Sequence, residues 1–546
     1  MDRRFLLALV LTGAVLVGTP FLFPTPTPPA RPAGAPKTDS SATAPAPAVA
    51  PSAATTAPAA MSATPNGAAP GIAAVPVETV TVVQPAATTR YSTRGASPLD
   101  VTLARFQALG AQRGNAARIG LPGSPMLRYR IIAAGDTIDF GGADFVPTAT
   151  TSGVSFVGRV GAAELQVSYT AGAVDYLTDV RLSASGVAAP AFLLVDLPRG
   201  FATQEADSTD DYNHLAYAVN TTRGDATGIA FTKLDGGERR LEAGPLSWVV
   251  AKNKYFLVGL LAPTSGTPFA EAHIIGEPRA KKATTRGNAT AVLPLNGKVH
   301  FELYAGPQEW KRLVALGRNF ENTNPYGGWL QGVVQPFATI VMSVLLWMKE
   351  RLGFGYGWVL VIFGVAIRLI LWPLNQGAMR TSIKMQRLQP ELQASQTKYK
   401  SDPQKQQQEI LRVYKEHGMS PFSAFSGCLP MLLPMPILFA LFWVFQNTIE
   451  FRGVPFLWLT DISLHDPLYI LPLLMGASMY LLSWIGMRNA PPNPQAKMMS
   501  YLFPVMMTFF LLKMAAGLNL YYAIQNLAAL PQQWMLAHER AKQNKG

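Results

Sequence analysis

GWVLVIFGVAIRLILWPL, residues 357–374, is the stretch whose reading decides the fold. Seventeen of its eighteen side chains suit a hydrocarbon layer, and the exception is Arg368. Trp358 and Trp372 bracket the run about 21 Å apart at helical rise, as interfacial anchors do. The expectation is a membrane-spanning helix over residues 356–375 that carries an arginine. Such an arginine costs roughly 2.5–3.5 kcal/mol on insertion scales, so something must compensate it.

Downstream, residues 376–419 are strongly polar. Arg380, Lys384, Arg387, Lys398, Lys400, Lys405, Arg412 and Lys415 face Glu391, Asp402, Glu409 and Glu416. Asp402-Pro403 reads as a helix cap followed by proline in the first turn, and Gly418 closes the second helix. Met385, Leu388, Leu392 and Tyr399, with Ile410 and Tyr414, supply a modest apolar seam. This predicts a helical hairpin, with a plain solvated connector as the simpler reading. Three apolar regions follow. The span at 421–446 carries Pro430, Pro434 and Pro436, which predict a kinked helix. The next span is 467–487. The run 499–536 would make ~57 Å of helix, too long for one crossing. Lys513-Met514-Ala515-Ala516-Gly517 breaks it into spans at 498–513 and 516–536, and a basic tail occupies 537–546.

Upstream, residues 327–353 are apolar, but Gln331, Gln335 and Pro336 interrupt the first half and Lys349, Glu350 and Arg351 end it. They are read as an amphipathic helix lying on the outer membrane face, with a true span as the alternative. Residues 76–317 have a period near two. Residues 77–83 (VETVTVV) alternate, two strand-like runs flank Lys252-Asn253-Lys254, and Asn296-Gly297 is a strong hairpin signal. An all-β sandwich closed by a short helix at Trp310–Leu313 is predicted. His214, His273 and His300 are scattered, and nothing catalytic declares itself there. Residues 24–75 are a Pro/Ala-rich tether that cannot bury a core. Residues 1–23 combine Arg3 and Arg4 with an apolar run, which suits a signal anchor, or else a cleaved signal peptide.

These readings give six spans, five of them around a helical core, with both termini in the cytoplasm. Charge agrees. The hairpin, Arg488 with Lys497, and Arg540, Lys542 and Lys545 fall inside, whereas the loop 447–466 has only Arg452 against Glu450, Asp461 and Asp466 and falls outside with the β domain. The net charge of +13 is therefore a matter of topology, with no nucleic-acid specificity implied. Cys428 is the single cysteine, which excludes an intrachain disulfide and a cysteine-based metal site. No phosphate-binding glycine loop is present, and the expectation is a non-enzyme without cofactor or metal.

Arg368 can snorkel to the cytoplasmic interface. Against that, the other core spans contain no Asp or Glu, whereas Ser426, Gln446, Ser478, Ser483, Tyr521, Tyr522, Gln525 and Asn526 scatter polar groups among them. An unpaired cation among such groups implies a wet, positively charged groove open to the cytoplasm.

The arginine before Leu371-Trp372-Pro373-Leu374, the charged hairpin and three segments carry a resemblance: GCLPMLLPMPILFALFWVF at 427–445, DPLYILPLLMGASMYL at 466–481 and GLNLYYAIQNL at 517–527. Together they resemble the YidC membrane protein insertases, and YSTRGASPLDVTLARF at 91–106 with LYAGP at 303–307 resembles the periplasmic domain of the Gram-negative form. The resemblance implies an inner-membrane insertase and chaperone for nascent membrane proteins, working in the lipid bilayer alone or beside the Sec translocon. Arg368, with Gly364, Ser426, Gln446, Tyr521, Tyr522, Gln525 and Asn526, would form the substrate-docking groove. Met431, Met435, Met506 and Met507 would line the greasy exit along the third and fifth spans. The hairpin, with Arg380, Lys384, Arg387, Arg412 and Lys415, would meet the ribosome or the signal recognition particle pathway. The rival reading is a small-solute transporter with a sugar-binding-like periplasmic domain.

Overall fold

Alternating apolar and polar side chains produce β-structure from the start of the described chain. The computed structural model describes residues 77–224, 226–277, 286–324, 331–373, 375–377, 388, 390–392, 394–395, 397–399, 402–417, 435–488 and 494–543. The predicted anchor and tether, Arg380, Lys384, Arg387, Ser426 and Met431 lie outside the described residues.

Two antiparallel sheets share one apolar core. The smaller joins Thr79–Val83, Ala87–Ser92, Ser97–Gln107 and Ala116–Ile119 in sequence order. The larger has fourteen strands and runs from Asp136–Asp139 at one edge to Phe145–Thr150 at the other. Tyr91 of the small sheet packs on Tyr169 and Phe156 of the large one, with ring centroids 4.7 and 6.2 Å apart. The sandwich expectation holds, as does the pairing of Arg239–Lys252 with Phe256–Leu261 across Asn253. The hairpin at Asn296-Gly297 does not form. Gly287–Pro294 pairs with Phe269–Gly276 and Ala191–Asp196, whereas Lys298–Pro307 pairs with Phe256–Leu261 and Leu177–Ser185. The turn geometry is present, with Gly297 at φ 78°, but pairing is decided by which face each strand buries.

The helices are α1 (Ser208–Asn213), α2 (Trp310–Leu316), α3 (Gln331–Leu352), α4 (Tyr356–Ile370), α5 (Pro403–Glu416), α6 (Met435–Asn447), α7 (Ile470–Met487), α8 (Pro494–Leu511) and α9 (Ala516–Gln543). α2 is the predicted closing helix, and α5 starts as expected, with the Asp402 carboxylate accepting the Lys405 N–H at 3.1 Å. Leu388, Val413 and Tyr414 form the buried seam beside α5, with Leu392 and Ile410 against them. The long final apolar run is broken between Leu511 and Ala516, where the Ala516 and Gly517 N–H groups donate to Leu464 and Ile462 carbonyls at 2.6 and 2.9 Å.

α3 and α4 bend through 118° at their junction. Among the described residues, α7 alone is a straight helix long and apolar enough to cross a membrane. Side-chain register gives helix direction. Phe363 meets Tyr521 and Arg368 meets Gln532, so α4 and α9 run parallel. Ser478 meets Asn526 and Gly486 meets Arg540, so α7 is parallel to α9 as well. Gly476 faces Thr508 while Tyr480 faces Tyr501, so α8 is antiparallel to α7.

Candidate functional site

The site begins with where α4 ends. The apolar run extends to Leu374, but the helix stops at Ile370, so Arg368 stands in its last turn rather than two turns from its end. Helical backbone resumes at Trp372, with the Leu371 carbonyl accepting the Asn375 N–H at 2.9 Å, so Arg368 stands just before a break in a helical run. One Nη2 hydrogen of Arg368 goes to Gln532 Oε1 at 2.9 Å, and Gln532 Nε2 donates to the Trp372 carbonyl at 3.0 Å. Gln532 is buried and both ends of its amide are engaged, so it fastens α9 to the end of α4. Arg368 Nε is buried without a partner. The guanidinium is thus half-buried, and its described hydrogen-bond partner is a neutral amide.

Gln532 was not singled out from the sequence. It follows Pro531, and a glutamine near the end of a long helix reads as tail. Its position eleven residues after Tyr521, three helical turns, is the signal that places both on the α4 face.

The predicted groove residues divide between two faces of α9. Tyr521 is buried, with its ring 5.9 Å from Phe363 and 5.5 Å from Tyr522. Gly364 lets the helices approach: a Cβ there would lie 3.2 Å from Ile524 Cγ2 and 3.5 Å from Tyr521 Cδ2. Gln525 stands one turn after Tyr521 and is half-buried. Asn526 turns the other way, donating to Ser478 Oγ at 3.1 Å, so it binds α9 to α7. Gln446 reaches Met514 Sδ at 3.5 Å, beside the α8–α9 break. The physical reason is helical phase: Asn526, Gln533 and Arg540 recur every seven residues and track α7, whereas Tyr521, Gln525 and Gln532 track α4.

Of the proposed greasy exit, Met435 is the first residue of α6. Met506 is exposed on α8 beside Leu502, Val505, Phe509 and Phe510, whereas Met507 packs against the helical core. In the hairpin, Arg412 pairs with Glu409 and Glu416 at 3.3 and 3.0 Å, and Lys415 lies in the last turn of α5.

Comparison with known proteins adds the decisive observation. A family model described as 60Kd inner membrane protein matches residues 347–544, and one described as YidC periplasmic domain matches residues 148–340. The membrane protein insertase YidC of Chlorobaculum tepidum is 33% identical over 439 residues, 73% of this chain and 71% of its own length. This chain belongs to the YidC family. A second relative of that name, from Anaeromyxobacter dehalogenans, is 32% identical over 71% of this chain and 70% of its own. Among solved structures, YidC from Thermotoga maritima is 15% identical with a TM-score of 0.29, covering 84% of this chain and 99% of that one. The family is an inner-membrane one with a periplasmic β-domain, which agrees with the sandwich described above.

Proposed function

We propose that the protein is a membrane protein insertase in which Arg368 draws the polar segment of a nascent membrane protein into the cytoplasmic half of the helical core. Its relatives carry that name. The observation that carries the docking role is the incompletely bonded Arg368, held by a neutral amide. A cation with donors to spare attracts acidic and polar segments, and holding it by an amide leaves its charge available. The driving force is transfer of the substrate's apolar helix into lipid, which for about twenty apolar residues outweighs moving a short polar tail. The exposed α8 face of Met506, Leu502, Val505, Phe509 and Phe510 offers an adaptable surface for that helix.

The topology proposed is six spans with both termini cytoplasmic. The parallel register of α4, α7 and α9, with α8 opposed, supports alternating crossings. The 118° bend supports α3 as an interfacial helix. The domain limits proposed are an anchor at 1–23, the β domain at 76–317 and the hairpin at 376–419, which would meet the ribosome or the signal recognition particle pathway. Cooperation with the Sec translocon belongs to the same proposal. The relatives' name lends nothing to the solute-transporter alternative.

The test is depletion followed by complementation. Wild type and Arg368→Lys should restore insertion of small substrates with acidic tails, and Arg368→Ala should restore it several-fold less well. If alanine serves every substrate equally, the docking role is wrong. If depletion spares insertion and stops solute uptake, the insertase reading is wrong.

A further inference from the structure

A cleft of roughly 610 Å³ lies where the β domain meets the helices, within the size range of small-molecule sites. Lys252 ends its strand in this cleft and is buried. Its Nζ donates to the Asn324 side-chain carbonyl, and the Asn324 amide in turn donates to Gln308 at 2.7 Å. Lys254, two residues on, has a carboxylate partner in Asp210 at 2.7 Å. Among the described residues Lys252 has no such ion pair, and burial pulls its ammonium down to about 7. A buried ammonium lacking a counter-charge costs several kcal/mol, which an anion in the cleft would offset.

The rest of the lining shows what carries that anion. Glu242 is engaged by the Tyr217 hydroxyl at 2.7 Å, on the β-domain wall. Gln331 opens α3, and Trp443 and Asn447 close α6, so the opposite wall is built from the ends of membrane-side helices. Gln331 and Asn447 each donate one amide hydrogen to the Ala226 and Trp443 carbonyls at 3.2 and 2.9 Å, and each amide NH2 carries a second hydrogen as a donor. Ile229, Ala230 and Trp443 add apolar surface. A cation, side-chain amide donors and an apolar wall suit a phosphate ester, at the headgroup level proposed for α3.

We infer that this cleft binds a phosphate group, with Lys252 as its counter-ion, supplied at the outer membrane face by a phospholipid headgroup. The inference rests on the proposed interfacial placement of α3.

Full-length protein, purified in detergent and stripped of lipid, is titrated with short-chain phosphatidylglycerol, with the phosphate-free diacylglycerol and with inorganic phosphate, and bound ligand is read by native mass spectrometry. Phosphatidylglycerol should bind at least tenfold more tightly than diacylglycerol. Lys252→Met should lose that preference and Lys252→Arg should keep it. Ala230→Trp fills the cleft while leaving Lys252 in place, and should weaken lipid binding to a similar extent if Lys252→Met fails to fold. Inorganic phosphate binding as tightly as the lipid, and losing affinity in Lys252→Met, would support the phosphate site and overturn the lipid as its source. Equal retention of phosphatidylglycerol and diacylglycerol, or wild-type lipid binding in both variants, overturns the proposal. Insertion is assayed separately in cells, so loss of insertion with lipid binding intact counts against the functional reading alone.

Discussion

At the residue scale the chain uses two ionisable groups, one half-buried and one buried, in opposite ways. Arg368 keeps a neutral partner, Gln532, which in the proposed docking role leaves its charge for a substrate. Gln532→Glu tests this directly: a carboxylate at the same site forms an ion pair and cancels the attraction. The variant should fold at least as stably as wild type yet insert acidic-tailed substrates several-fold less well, whereas Gln532→Leu should cost stability and spare the charge. Comparing melting temperature with insertion in the two variants separates docking from mere anchoring of α9. Glu450 is the contrary case. Its carboxylate accepts the Trp310 N–H at 2.9 Å, its other oxygen is buried without a partner, and burial pushes it up to about 7. Glu309 and Tyr356 face it, and neither supplies a positive charge. An acid whose pKa is higher folded than unfolded binds more protons in the folded state, so its contribution is fully present below its unfolded pKa of about 4.3. That contribution is lost as pH rises through about 7. Glu450→Gln should therefore raise the melting temperature most at pH 8, by about 2–4 °C per kcal/mol relieved, and narrow its gap to wild type by pH 5.

At the scale of elements, α9 shows what a sequence discloses and what it withholds. The break at residues 512–515, the α5 cap and the alternation of the β domain were legible because chain length, Asp402-Pro403 and side-chain period are local properties. The candidate groove was legible only in part. Tyr521 and Asn526 are neighbours in sequence, yet they serve different helices, because a difference of five residues turns them onto separate faces. Gln532 and the absent Asn296-Gly297 hairpin were hidden for a related reason: a partner 164 residues away, or a choice of strand neighbour, is a property of packing. The α7–α8 contact is of this kind too. A Cβ added at Gly476 would lie 2.0 Å from Thr508 Oγ1, and that hydroxyl is held by the Pro504 carbonyl at 2.8 Å. Gly476→Val should push α8 from α7 and cost about 1–3 kcal/mol. A cysteine pair at Tyr480 and Tyr501, whose rings are 5.4 Å apart, should crosslink in the parent and less efficiently in the valine variant.

At the scale of the whole molecule, the loop between α6 and α7 joins the β domain to the helical core. Ile449 is buried in the β-domain core, Phe451 stacks on Phe445 of α6 at 4.9 Å, and Trp310 of α2 packs against the helical core in exchange. Between them Arg452 donates to both carboxylate oxygens of Glu205 at 2.9 and 2.8 Å, with its guanidinium near the Tyr255 and Phe256 rings. Both side chains are buried, and burial pushes the Glu205 carboxyl up to about 7 in spite of Arg452, so the pair adds little net stability. The asymmetry of such a pair makes the prediction sharp. Arg452→Met alone strands a buried carboxylate and should cost about 3–5 kcal/mol, as should Glu205→Leu alone. The double variant leaves no charge and should recover most of that loss. If the pair fixes how the β domain sits, the double variant should melt near wild type and yet expose the 449–453 loop to faster hydrogen exchange. If exchange there stays at the wild-type rate, apolar packing through Ile449 and Trp310 holds the two bodies by itself, and the ion pair has no orienting part.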